Sequence, residues 1–162
     1  MKTDITILCT RPLSQEIIDV ANRKGLHTDV LSFIETAAIE SVEVQQEIEH
    51  AFLLNTTVVF TSMNAVEAVA AYLTDEQPDW RVYCIGFTTQ TLVKKYFGAH
   101  VIVGVAENAA ALAEKIMEDG AAEEVVFFCG NQRRDEMSTM LDEAGIVVTE
   151  VVVYETIQVP HV

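Results

Sequence analysis

Apolar and polar positions alternate along this chain in blocks whose period changes. Short apolar runs, of the length of buried strands, give way to stretches in which apolar residues recur at helical spacing. Residues 5–9 read as a buried strand, and residues 13–24 as an amphipathic helix stopped by Gly25. Residues 28–33 predict a second strand, and 34–41 fit neither period cleanly and read as an extended crossing segment. Val44, Ile48 and Phe52 set a helix over 42–54. A strand over 57–61 and a helix over 64–73 follow, and then a surface loop at Asp75-Glu76-Gln77-Pro78-Asp79. The pattern continues with strand 81–85, helix 89–97 ending at Gly98, short strand 100–103 and helix 108–117. Strand 125–129, helix 135–143 closed by Gly145, and a long strand from 147 to 154 complete it. Such β-α-β alternation with short connections predicts an α/β fold, a parallel sheet covered by helices on both faces.

Three of the strand-like runs end in small polar residues and lead straight into a helix: Val58-Val59-Phe60-Thr61-Ser62-Met63-Asn64, Val82-Tyr83-Cys84-Ile85-Gly86-Phe87-Thr88-Thr89, and Val125-Val126-Phe127-Phe128-Cys129-Gly130-Asn131-Gln132-Arg133-Arg134. In a parallel sheet these turns line up along the carboxyl edge, where ligands bind. Hydroxyls, amides and unpaired helix N–H groups converging on one edge suit an anionic ligand.

Each of these residues also has a purely structural reading. Ser62 or Asn64 can cap the following helix, as can Thr88 or Thr89. Gly86 and Gly130 can serve backbone conformation or close packing. Cations in a first helical turn oppose the helix dipole, so Arg133 and Arg134 are mildly disfavoured there without another use. Arg11 precedes Pro12, which sets a helix start, and an arginine at that place can hold a carboxylate bidentately. Tyr154, at the end of the last apolar run, reads either as a packed strand-end aromatic or as a proton donor, since a free phenol titrates near about 10.

Composition narrows the function. The chain has 162 residues, half of them hydrophobic, enough for one or two small domains. A formal net charge of −15 argues against nucleic acid or an anionic membrane surface as a partner. It also opposes the approach of an anion, so anion binding would rest on local donors. The sequence shows no apolar run of membrane-spanning length and no signal-peptide pattern, which points to the cytoplasm. Cys9, Cys84 and Cys129 lie in apolar strand patterns and read as buried reduced thiols, and neither they nor the four histidines show metal-ligand spacing. G-x-G-x-x-G, the P-loop and G-x-S-x-G are all missing, which removes the dinucleotide, P-loop and serine-hydrolase readings. A receiver-type signalling domain would need an acidic cluster where Cys9-Thr10-Arg11 stands.

Taken in order, Thr10-Arg11-Pro12, Phe60-Thr61-Ser62-Met63-Asn64-Ala65-Val66, Ile85-Gly86-Phe87-Thr88-Thr89, Gly130-Asn131-Gln132-Arg133-Arg134-Asp135-Glu136 and Val153-Tyr154-Glu155-Thr156 resemble the uroporphyrinogen-III synthase family. The resemblance implies a bilobal enzyme whose lobes are flavodoxin-like or Rossmann-like and joined by a two-stranded linker. Mapped onto this chain, 1–34 would open lobe one, 35–151 would form lobe two whole, and 152–162 would return toward lobe one. The rest of lobe one would then be absent. A substrate held between two lobes needs both walls, so activity depends on completing that lobe. Open strand edges in the incomplete lobe predict self-association.

The implied activity is that of a cofactor-free, metal-free hydro-lyase of heme and porphyrin biosynthesis. It cyclises hydroxymethylbilane to uroporphyrinogen III with inversion of the last ring. The resemblance makes Tyr154 the catalytic residue and Arg11, Ser62, Asn64, Gly86, Thr88, Thr89, Gly130 and Asn131 the substrate-binding set. The alternative is a non-enzymatic α/β module that binds a polycarboxylate or phosphate ligand on the same edge.

Overall fold

The computed structural model describes residues 5–9, 15–24, 26–30, 34–132 and 135–158. The chain divides into two units, Met1–Ala37 with Thr156–Val162, and Ala38–Glu155. In the first unit, β1 (Ile5–Cys9) and β2 (Leu26–Val30) are joined through α1 (Gln15–Arg23). The two strands pair in parallel, from Ile5 opposite Leu26 to Cys9 opposite Val30. They form the β-α-β opening expected from the pattern, although β2 starts earlier, at Leu26, than its apolar run suggests, and residues 31–33 lie outside the described residues.

The strand β3 (Ile34–Ala38) leads into the larger unit, where α2 (Val42–Phe52) is capped by the Ser41 hydroxyl, which accepts the Val44 N–H at 3.1 Å. There follow β4 (Thr57–Phe60), α3 (Met63–Ala70), β5 (Arg81–Ile85), α4 (Phe87–Phe97), β6 (Ile102–Ala106), α5 (Ala109–Asp119), β7 (Glu124–Gly130), α6 (Glu136–Glu143) and β8 (Val147–Gln158). Six strands form one sheet in the order β3-β8-β7-β4-β5-β6. The pairs β4–β5, β4–β7, β5–β6 and β7–β8 are all parallel.

Side chains alternate across the sheet, and both faces are covered, so the central strands read as continuous apolar runs. On one face Val58, Phe60, Val82, Cys84, Val126 and Phe128 pack with Ile48 of α2, Val66 and Val69 of α3, and Val93 and Phe97 of α4. On the other, Val59, Tyr83, Val125, Phe127 and Cys129 pack with Leu112 and Ile116 of α5 and Met137 and Leu141 of α6. The first core is largely aromatic. Phe60 lies 5.6 Å from Phe128 and 6.1 Å from Phe97, ring centre to ring centre. Trp80 closes this cluster at 5.2 Å from Phe97, and its indole N–H donates to the Ala51 carbonyl at 2.8 Å, so its polar atom is satisfied while buried.

Two boundaries correct the sequence reading. The strand expected at 100–103 begins instead at Ile102, because Gly98 turns the chain at φ 93° and Ala99–Val101 forms a 3-10 turn. The helix expected from Thr89 begins at Phe87, because Gly86 at φ 84° reverses the chain directly after β5.

Burial also perturbs two acids in the sheet. Burial, together with a 2.6 Å hydrogen bond donated to Asp119 and that carboxylate's charge, raises the Tyr83 phenol from 10.0 to about 12. Burial raises the Cys84 thiol from 9.0 to about 11, against a weaker opposing pull from Lys94. Both folded values lie above the unfolded ones. The folded state therefore keeps protons that the unfolded state gives up, and this stabilisation is whole below about pH 9 and is lost as pH rises through about 11–12. Urea midpoints measured from about pH 8 to about pH 11 should fall with rising pH, and Tyr83→Phe should flatten the part of that fall above about pH 10.

Candidate functional site

Strand order locates the crevice. From β4 the chain builds outward through β5 to β6; α5 then carries it back across the sheet, and β7 and β8 extend the other side. The order reverses between β4 and β7, which are parallel neighbours with Phe60 opposite Phe128. In open α/β sheets the carboxyl end of such a reversal is where the flanking loops splay apart and leave room for a ligand. The register also aligns Phe60 with Cys84, and Gly130 with Tyr154. The turns holding Ser62, Gly86 and Asn131 therefore lie along one edge of the Ala38–Glu155 unit, with Tyr154 on the adjoining strand.

At that edge Ser62 caps α3, its Oγ accepting the Ala65 N–H at 3.3 Å. Such a cap contributes about 1 kcal/mol, so Ser62 has a structural duty, while its O–H remains a donor. Asn64 is half-buried in the first turn of α3 and does not cap it. Gly86 starts α4 with no side-chain cap, so the N–H groups of that first turn face the rim without a side-chain acceptor from the cap position. Thr88 is exposed there.

Thr89 departs from the sequence reading. It is only 5% exposed, because at helical spacing it shares the inward face of α4 with Val93 and Phe97. Neither threonine is the N-cap. Gly130 is buried too, and the reason is a close approach: a Cβ built there would lie 2.5 Å from Cζ and 2.8 Å from Oη of Tyr154. The glycine admits the tyrosine ring. Asn131 is exposed, and its backbone N–H donates to the Tyr154 carbonyl at 3.1 Å, tying the loop after β7 to β8. Tyr154 itself is half-buried against the aromatic core and lies within β8, which runs on to Gln158. Arg11, Arg133 and Arg134 lie outside the described residues.

Two rim side chains escape the sequence reading. Phe87 is 82% exposed and Met63 is 42% exposed, each directly following the cap position of its helix. An apolar residue after the small residue in both turns was the available signal. Away from the turns after β4 and β5, a groove of about 470 Å³ is lined by Asp135, Ser138, Thr139, Asp142, Val148 and Glu150. Its carboxylates make it a poor seat for an anion. Among the described residues no group of His, Cys, Asp and Glu side chains is arranged to hold a metal ion, and no helix is long and apolar enough to cross a membrane.

Comparison with known proteins agrees with this architecture. A search of curated proteins returns no match. Among solved structures, a mutant uroporphyrinogen III synthase of Thermus thermophilus superposes with a TM-score of 0.70 at 13% identity, over 96% of this chain and 64% of that one. The wild-type protein of the same organism, in another crystal form, gives 0.60 at 13% identity, over 96% and 63%. The uroporphyrinogen-III synthetase of Helicobacter pylori gives 0.56 at 17%, over 99% and 64%. These likenesses establish the fold, and this chain spans about 64% of the length of those proteins. The family model described as uroporphyrinogen-III synthase HemD matches residues 15–162, and the chain belongs to that family.

Proposed function

We propose that the carboxyl rim of the Ala38–Glu155 unit binds the carboxylates of hydroxymethylbilane, and that the protein takes part in its cyclisation to uroporphyrinogen III. The supporting observation is the strand reversal between β4 and β7, which brings the Ser62 turn and the Asn131 turn to the same edge in a member of this family. Ser62, Asn64, Thr88, Asn131 and the first-turn N–H groups beyond Gly86 supply donors there. They act locally, at hydrogen-bonding range, which is what a chain of net charge −15 requires for an anionic ligand.

In this reading Tyr154 protonates the departing hydroxyl of the substrate's terminal hydroxymethyl group, which leaves as water. The azafulvene cation that remains is attacked by the substituted carbon of the last pyrrole ring, giving a spiro pyrrolenine. Cleavage and reclosure of that intermediate invert the ring, and loss of a proton restores the pyrrole. The rim's main work is to hold a flexible chain folded so that its two ends meet. Gly130 places the tyrosine, since its missing Cβ is what lets the ring lie against β7.

The test is to supply hydroxymethylbilane and separate the product isomers. We expect the type III isomer, and Tyr154→Phe should slow its formation by about 10²-fold, the lower end of what one positioned acid contributes. Only the type I isomer, which forms without an enzyme, would contradict catalysis by this chain. Tighter binding of inorganic phosphate than of uroporphyrin III would favour the simple binding module instead.

A further inference from the structure

We propose that Met63 and Phe87 form an apolar platform on the rim that packs against the pyrrole rings of the ligand, so that the site reads ring faces as well as carboxylates. This rests on the reading of the rim given above and extends it to two residues with no assigned role.

The two side chains occupy equivalent places. Phe60 and Cys84 are register partners on adjacent parallel strands, and Met63 and Phe87 each follow three residues later. Each is the first residue of its helix, α3 or α4, and those helices pack side by side. Adjacent strands lie about 4.8 Å apart and packed helices about 8–10 Å apart. The two residues are therefore neighbours across one rim, flanking the Ser62 and Gly86 turns.

The core is packed without either side chain; Val42, which follows the Ser41 cap of α2, is likewise 66% exposed, but it has no counterpart at the start of a neighbouring helix as Met63 and Phe87 have in each other. Phe60, Phe97, Phe127 and Phe128 are all buried, at 3% exposure or less, and Phe52 is half-buried, whereas Phe87 is 82% exposed. The first helical position favours proline or an acidic side chain and gains nothing from a large apolar one. A ligand that was only anionic would gain nothing from them either. A ligand with flat rings bearing carboxylates would use both parts of the rim: donors for the acids, and Phe87 and Met63 for the faces. Apolar contact also works independently of charge, which matters for a polyanion approaching a chain of net charge −15.

The experiment compares Phe87→Ala, Met63→Ala and Phe87→Trp with the unaltered chain, using uroporphyrin III as the ring-bearing probe and citrate as a polyacid without rings. Binding is followed by fluorescence for the first and calorimetry for the second, with thermal melts to verify folding. Phe87→Ala should weaken uroporphyrin binding roughly three- to tenfold, Met63→Ala by less, and Phe87→Trp should restore it, with citrate binding and the melts unchanged. Equal uroporphyrin binding by all four proteins would overturn the platform and leave the carboxylate rim standing. An equal loss of citrate and uroporphyrin binding would also overturn it, since ring faces would then play no part. No uroporphyrin binding by the unaltered chain would overturn both.

Discussion

Truncating Phe60 to alanine is expected to lower the unfolding free energy by about 3–5 kcal/mol, the largest single loss we anticipate. Phe60 is fully buried on β4, which is hydrogen-bonded on both sides, to β5 and β7. Its ring stacks at 5.6 Å on Phe128 and 6.1 Å on Phe97, and lies 6.5 Å from Trp80. Removing it opens a cavity bounded by rings that are themselves pinned, with little freedom to collapse into the space. A domain of this kind is stable by only about 5–15 kcal/mol, so the variant should unfold at a much lower urea concentration. The same substitution at Phe87, on a side chain that is 82% exposed, should change stability by no more than about 0.5 kcal/mol. Urea denaturation of the two variants side by side separates core from rim. A loss below about 1 kcal/mol at Phe60 would mean that the aromatic cluster is not packed as described.

Gly130→Ala should have the second largest effect, a destabilisation of about 1–3 kcal/mol from overpacking. The new Cβ would meet Cζ, Cε2 and Oη of Tyr154 at 2.5, 2.7 and 2.8 Å, too close for any real contact. Either the ring swings off β7 or the strands part, and the ring is the softer of the two. The phenol would then leave its place at the rim, so the variant should lose type III product about as far as Tyr154→Phe does. A double variant carrying Tyr154→Ala separates this clash from a general fault in β7. With the ring gone the added methyl group has room, so the double variant should be more stable than the sum of the single losses implies, by about 0.5–3 kcal/mol. Strict additivity would show that the two residues do not touch.

Much of the larger unit was legible in its apolar runs. β5 falls on Arg81–Ile85 as read, since the unbroken apolar run Val82–Ile85 between Arg81 and Gly86 has no competing period. The cap at Ser62 was one of two readings of that turn, and the hydrogen bond to Ala65 settles that it is made. Thr89 misled because threonine is a good cap and Gly86 a poor one by side chain alone. What decided the start of α4 was a positive φ, which glycine accepts without strain and leaves no hydrogen-bonding trace in sequence. The contact between Gly130 and Tyr154 was out of reach for a different reason. It joins residues 24 positions apart through the β7–β8 register, with a shift between Cys129 and Gly130. Strand order and register are tertiary choices, and no local period encodes them. The exposed Phe87 was hidden by the same logic: one apolar residue at a helix start looks like any other until the core is seen to be complete without it.

The rim is best tested by titrating uroporphyrin III into isotope-labelled protein and following every assigned backbone amide by NMR. The amides of Ser62 to Ala65, Gly86 to Thr89 and Asn131 should shift together along one saturable binding curve. Shifts confined to the acidic groove of α6 and β8, or spread over the amino ends of the strands, would contradict a carboxylate-binding rim at the strand reversal.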